Sequence, residues 1–160
     1  MTAPRTTDRE ADGARSSGQG GRGLEIVLIA VYAIFALSAT ARSLVQVLTK
    51  FEVAPVAYSL SLLSAATYIA VTVALVRGGR RSRLARALVV IELLGVLVVG
   101  ILTVLDPALF PEPTVWSVFG QGYGYVPLVL PVLALIYMLL GDRRGRTARE
   151  QGAGPRTVQP

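Results

Sequence analysis

Apolar residues fall in four long runs separated by short polar or basic breaks, and none alternates with the period of two that marks a half-buried strand. Leu24 to Leu48 is uncharged except for Glu25 and Arg42, and Pro55 to Val76 carries no charge. Leu84 to Leu105 holds only Arg86 and Glu92, and Val126 to Leu140 none. A helix rises about 1.5 Å per residue, so about 20 apolar residues cross a ~30 Å hydrocarbon core. The pattern predicts an all-α polytopic membrane protein, an antiparallel four-transmembrane-helix bundle over residues 24–140, with helices at about 24–48, 55–76, 84–105 and 121–140. Pro55 suits the first turn of the second helix, and Asp106-Pro107 stops the third.

The last span is the least regular. Val126 to Leu140 gives about 22 Å of helix, short for the core, so Trp116 to Tyr125 must lie in the interface or dip into the membrane. Trp116, Tyr123 and Tyr125 suit an interfacial aromatic belt.

Charge gathers in the breaks and tails, and this sets orientation. Arg77 to Arg86, RGGRRSRLAR, packs five arginines and no acid into one loop; four more precede the first run and five follow the last. The outer side has Lys50, Arg42 at its edge, and no Lys or Arg between Asp106 and Pro113. Arg and Lys accumulate in cytoplasmic loops, so both termini are expected in the cytoplasm of a multi-pass plasma-membrane protein. Residues 1–23 are polar and mixed in sign and read as a disordered cytoplasmic tail; residues 141–160 read as a second, basic one. A different reading of the first run is a signal peptide, with Ala39-Thr40-Ala41 as its cleavage motif, leaving three helices; the apolar pattern continuing beyond Arg42 favours the uncut helix.

Composition agrees and narrows the chemistry. The chain is 52% hydrophobic and only 16% charged, against about 25% for soluble domains. Its net charge of +6 lies in tails and one loop rather than on a folded face, which argues for anionic lipid headgroups as partners and not for nucleic acid. Cys and His are both absent, which removes disulfides, thiolate or imidazole metal sites and a Ser-His-Asp triad. No cofactor is implied.

Polar residues inside the runs are the candidate sites. Ser38, Arg42 and Gln46 recur at helical spacing on the first helix, and Ser61, Ser64, Tyr68 and Thr72 on the second. They read either as a groove in which Arg42 holds an anionic headgroup or substrate, or as small polar packing with Arg42 snorkelling outward. Glu92 lies about 7–8 Å inside if the core starts at Ala87, with no basic residue three or four positions away. It is either a proton or cation relay or half of a salt bridge to Arg22, Arg77 or Arg143. Gly120, Gln121, Gly122, Tyr123, Gly124 and Tyr125 form a glycine-rich outer segment that reads as a flexible approach to the last helix, with phosphate binding through its backbone N–H groups as the sharper option. Its GYG lacks the Thr-Val that precedes a potassium filter. Gly95 and Gly100 are five apart, so they form no GxxxG motif.

VYAIFALSATARS (31–43), TKFEVAPVAYSLS (49–61), ELLGVLVVG (92–100), DPALFP (106–111) and VWSVFGQGYGYVPLVLPVLAL (115–135) together resemble uncharacterised actinobacterial four-helix integral membrane proteins. That resemblance implies fold and location and brings no activity. Acids at opposite membrane faces give no convergent acid–base pair, so an enzyme is not expected. The expectation is a non-enzymatic accessory, assembly or scaffold subunit of a cell-envelope or respiratory complex, bound to a membrane-protein partner or to itself. The alternative is a small transporter or lipid-handling protein using Arg42 and Glu92.

Overall fold

The computed structural model describes the backbone of residues 6–152 and the side chains of residues 22–141. Four helices account for most of it: α1 (Thr6–Lys50), α2 (Pro55–Gly78), α3 (Arg83–Leu105) and α4 (Val126–Gly152). Short 3₁₀ turns at Phe51–Val53, Gly79–Arg81 and Pro107–Leu109 and a longer 3₁₀ segment at Ser117–Tyr123 join them, and the described residues contain no strand. Three stretches are long and apolar enough to cross a membrane: Arg22–Val53, Pro55–Arg81 and Arg83–Leu105. A fourth is broken, Ser117–Tyr123 meeting Val126–Gly141 at 101°.

Local chemistry accounts for the boundaries. Pro55 sits in the first turn of α2. Gly79 at φ +56° ends that helix, its N–H donating to the Leu75 carbonyl. Ser82 caps α3, its hydroxyl accepting from the Ala85 N–H at 3.1 Å. The fourth helix starts at Val126 rather than near residue 121, because Val118, Phe119, Gly120, Gly124 and Tyr125 all hold positive φ and break a continuous helix there. Helical backbone also extends upstream of Leu24 to Thr6 and beyond Leu140 to Gly152, into both segments read as disordered tails. Extending an existing helix costs far less than nucleating one, and the Ala, Arg and Glu there are good helix formers. Residues 1–5 and 153–160 lie outside the described residues.

The helices pack in sequence order, α1 on α2, α2 on α3, and α3 on both α4 and the 3₁₀ segment. Each buries one stripe: Leu28, Tyr32, Ala36, Ala39 and Ser43 on α1, and Ala85, Val89, Glu92, Val96 and Val99 on α3. These positions recur at three and four residues, the period of one helix face. The opposite faces carry large apolar side chains in the open, Leu37, Leu48 and Leu105 being about three-quarters exposed. Two ends can be told apart, a basic end at the Gly79–Arg81 turn and an aromatic end at residues 110–125.

Candidate functional site

The aromatic end is closed by the segment that precedes α4, which turns back into the bundle. A turn built by Thr114 and Ser117 starts it. The Thr114 N–H donates to the Ser117 hydroxyl at 2.9 Å, and the Trp116 N–H to the Thr114 hydroxyl at 3.1 Å. With these donors satisfied, and the Ser117 N–H donating to the Thr114 carbonyl, the turn can be buried. Trp116 enters the bundle, 2% exposed, and its ring lies over Gly95. A Cβ at Gly95 would stand 2.6 Å from Trp116 Cζ3, and one at Gly100 would stand 2.5 Å from Phe119 Cδ1. The five-residue spacing of these glycines thus receives two aromatic rings from within the chain.

From Trp116 a chain of aromatic contacts crosses the helices. Trp116 Nε1 donates to the Tyr68 hydroxyl at 3.0 Å, joining the turned-back segment to α2. Tyr68 packs against Tyr32 and Phe35 of α1, with ring centroids 6.4 and 5.6 Å apart, and Phe35 meets Tyr123 at 6.0 Å. Such tilted and edge-on arrangements suit the ring quadrupoles. Arg42 closes the series, donating from Nη1 to the Tyr123 hydroxyl at 2.6 Å and from Nη2 to the Pro113 carbonyl at 3.3 Å. Its guanidinium carbon lies 5.8 Å from the Tyr123 ring centroid.

Glu92 sits near the middle of α3, nine residues after Arg83 and thirteen before Leu105. Its side chain is fully buried, and neither carboxyl oxygen has a hydrogen-bond partner. Tyr32 faces it from α1 within reach of a side-chain hydrogen bond, though in this packing the pair falls short of regular hydrogen-bond geometry. Arg22 and Arg77 are exposed and form no salt bridge to it. The Arg143 side chain lies outside the described residues.

The remaining sequence candidates fall in different places. Ser61 and Ser64 are buried but bond to carbonyls of their own helix, at Ala57 and Ser61, and Thr72 does the same at Tyr68. The predicted stripe on α1 divides: Ser38 is exposed, Arg42 is half-buried, and the Gln46 Oε1 atom is buried without a partner, as is the Ser43 hydroxyl. The buried face of α1 passes through Ser43 rather than Ser38. In the glycine-rich segment, Gln121, Gly122, Gly124 and Tyr125 are exposed and Tyr123 is half-buried. Gly120 is buried at φ +82°, where a Cβ would meet Pro127 at 2.6 Å. The N–H groups of Gly124 and Tyr125 already donate to Gln121 and Gly120 carbonyls, so neither offers a free donor to a phosphate.

The basic end is fastened differently. Tyr137 of α4 donates to Glu25 Oε2 at 3.2 Å, and Arg80 lies 5.9 Å from the Tyr137 ring centroid. Glu25 Oε1 comes so near the Gly79 turn that a Cβ there would stand 2.8 Å away. Sequence reasoning missed this cluster, because Glu25, Arg80 and Tyr137 are joined only by the fold. It also missed Tyr32 and the pairing of Trp116 with Gly95. For that pairing a faint signal existed in two unexplained glycines and the chain's single Trp.

Compared with family models, curated proteins and solved structures, the chain gives no match.

Proposed function

We propose that this is an integral membrane protein of the plasma membrane with four antiparallel spans, the last one broken, and with the arginine loop and both termini cytoplasmic. In that membrane it serves as a non-enzymatic accessory or assembly subunit of a cell-envelope or respiratory complex. The actinobacterial four-helix proteins that its motifs resemble are included in this reading as kin. The observation that carries it is how the polar side chains are engaged. Arg42, the cation read as a possible holder of a substrate or headgroup, fastens Tyr123 and Pro113 instead. Tyr68 accepts from Trp116, and the α2 hydroxyls bond to their own helix. A bundle whose polar groups hold its own segments together suits a packing partner better than a polar path. The exposed Leu, Ile and Val faces suit lipid or a neighbouring helix. A second reading, transport, is favoured by one observation, the buried Glu92 with no counter-charge bonded to it.

The deciding measurement is the mass of the tagged protein extracted gently from its own membrane. Stoichiometric foreign subunits are expected; a lone monomer or homo-oligomer would turn the reading toward transport. The same spectrum reports whether the chain is cut after Ala41. Orientation is tested separately. The chain has no Cys, so single cysteines at Arg81 and Gln121 report sidedness without background. Labelling of Arg81→Cys from outside intact cells would reverse the topology.

A further inference from the structure

Two buried oxygen-bearing groups, the Glu92 carboxyl and the Tyr32 hydroxyl, face each other inside the bundle with no other hydrogen-bond partner. Both are fully buried, and neither has a regular hydrogen bond to any group, each being the other's nearest polar partner. Native structures leave few such groups, and a buried carboxylate is costly unless paired. The groups around Glu92 supply no counter-charge among the described residues. From α2 comes Tyr68, which acts on Glu92 electrostatically while its hydroxyl accepts from Trp116. From the 3₁₀ segment, Tyr123 is held by Arg42. On α4, Tyr137 is the sole titratable side chain between Val126 and Gly141, and it donates to Glu25. Arg86 of α3 has an interaction of its own.

The carboxyl has no exposure, so an organic ligand or hydrated ion has no approach to it in this packing. A proton needs no volume. As an acid, Glu92 gains an O–H that the Tyr32 oxygen can accept; as a carboxylate, it can accept the Tyr32 O–H. One proton therefore decides which partner donates, and a small approach of the two groups satisfies both in either state. We propose that Glu92 and Tyr32 form a reversible proton-binding site in the middle of the bundle. On uptake, a proton delivered from water forms the carboxyl O–H bond and the hydrogen bond to Tyr32 reverses direction; on release, the proton returns to water. No electrons move. The site goes beyond the accessory reading and stands with or without it.

Infrared difference spectroscopy of the full chain in lipid bilayers tests this, because a carboxylic acid carbonyl absorbs apart from a carboxylate. Between about pH 5 and about pH 10, a range that starts above the ordinary Asp and Glu titrations at about 4 so that exposed carboxyls stay ionised, one carboxylic-acid band should vanish reversibly as pH rises. That band should be missing from Glu92→Gln. Tyr32→Phe keeps the ring and removes the hydroxyl, and it should shift the band's frequency without abolishing it. A wild-type spectrum with no acid band at any pH would overturn the proposal. So would a band unmoved by pH, or one that Tyr32→Phe leaves in place; these last readouts do not require Glu92→Gln to fold.

Discussion

The two ends of this bundle are closed by different physics. At the aromatic end, Trp116 and Phe119 fill the space over Gly95 and Gly100, and a web of buried hydroxyl and backbone bonds holds the segment that carries them. At the basic end, a half-buried Glu25, the Tyr137 hydroxyl and Arg80 meet around a glycine turn, with polar and cation–π contacts in place of inserted rings. Packing needs volume to match on both sides, so one wrong methyl is felt. Polar contacts near water can be replaced by solvent, so losing one costs little. The aromatic end should therefore be the brittle one.

The sharpest way to break that contrast is Trp116→Ala. Removing a buried Trp costs about 3–5 kcal/mol in soluble cores. About 3 kcal/mol, the low end of that range, is expected here. Thermal unfolding in detergent measures it. Next comes Gly95→Val, whose side chain would enter the Trp116 ring position and cost about 1–3 kcal/mol by overpacking. Trp116 is the chain's single Trp, so its fluorescence should shift red as the ring is expelled. An unchanged spectrum in a folded Gly95→Val protein would remove the insertion from the account.

Smaller effects separate the ends further. Arg42→Gln loses the charge-assisted bond to Tyr123 and the cation–π contact, about 1 kcal/mol together. It should speed proteolysis near Tyr123 while leaving the basic end protected. Tyr137→Phe, which keeps the ring and deletes the donor to Glu25, should be the mildest at about 0.6 kcal/mol. Equal losses of melting temperature for Tyr137→Phe and Trp116→Ala would erase the distinction between the ends.

The helical character and the apolar helices that could cross a membrane were legible in the sequence, because each depends on a local count of apolar residues. The irregularity before the last helix was legible too, since 15 apolar residues are too few for a full span. Tertiary structure alone decided what the polar residues do. Arg42 meets Tyr123 and Pro113, 81 and 71 residues away, and Glu25 meets Tyr137, 112 residues away. No periodicity within one helix encodes such contacts. Rotation about the helix axis decided the rest: it buried Ser43 and turned Ser38 outward, although both lie in the same apolar run. Hydrophobic content specifies that a segment becomes an apolar helix; which of its faces turns inward follows from the side-chain volumes that neighbouring helices present, and those are set only when the chain packs.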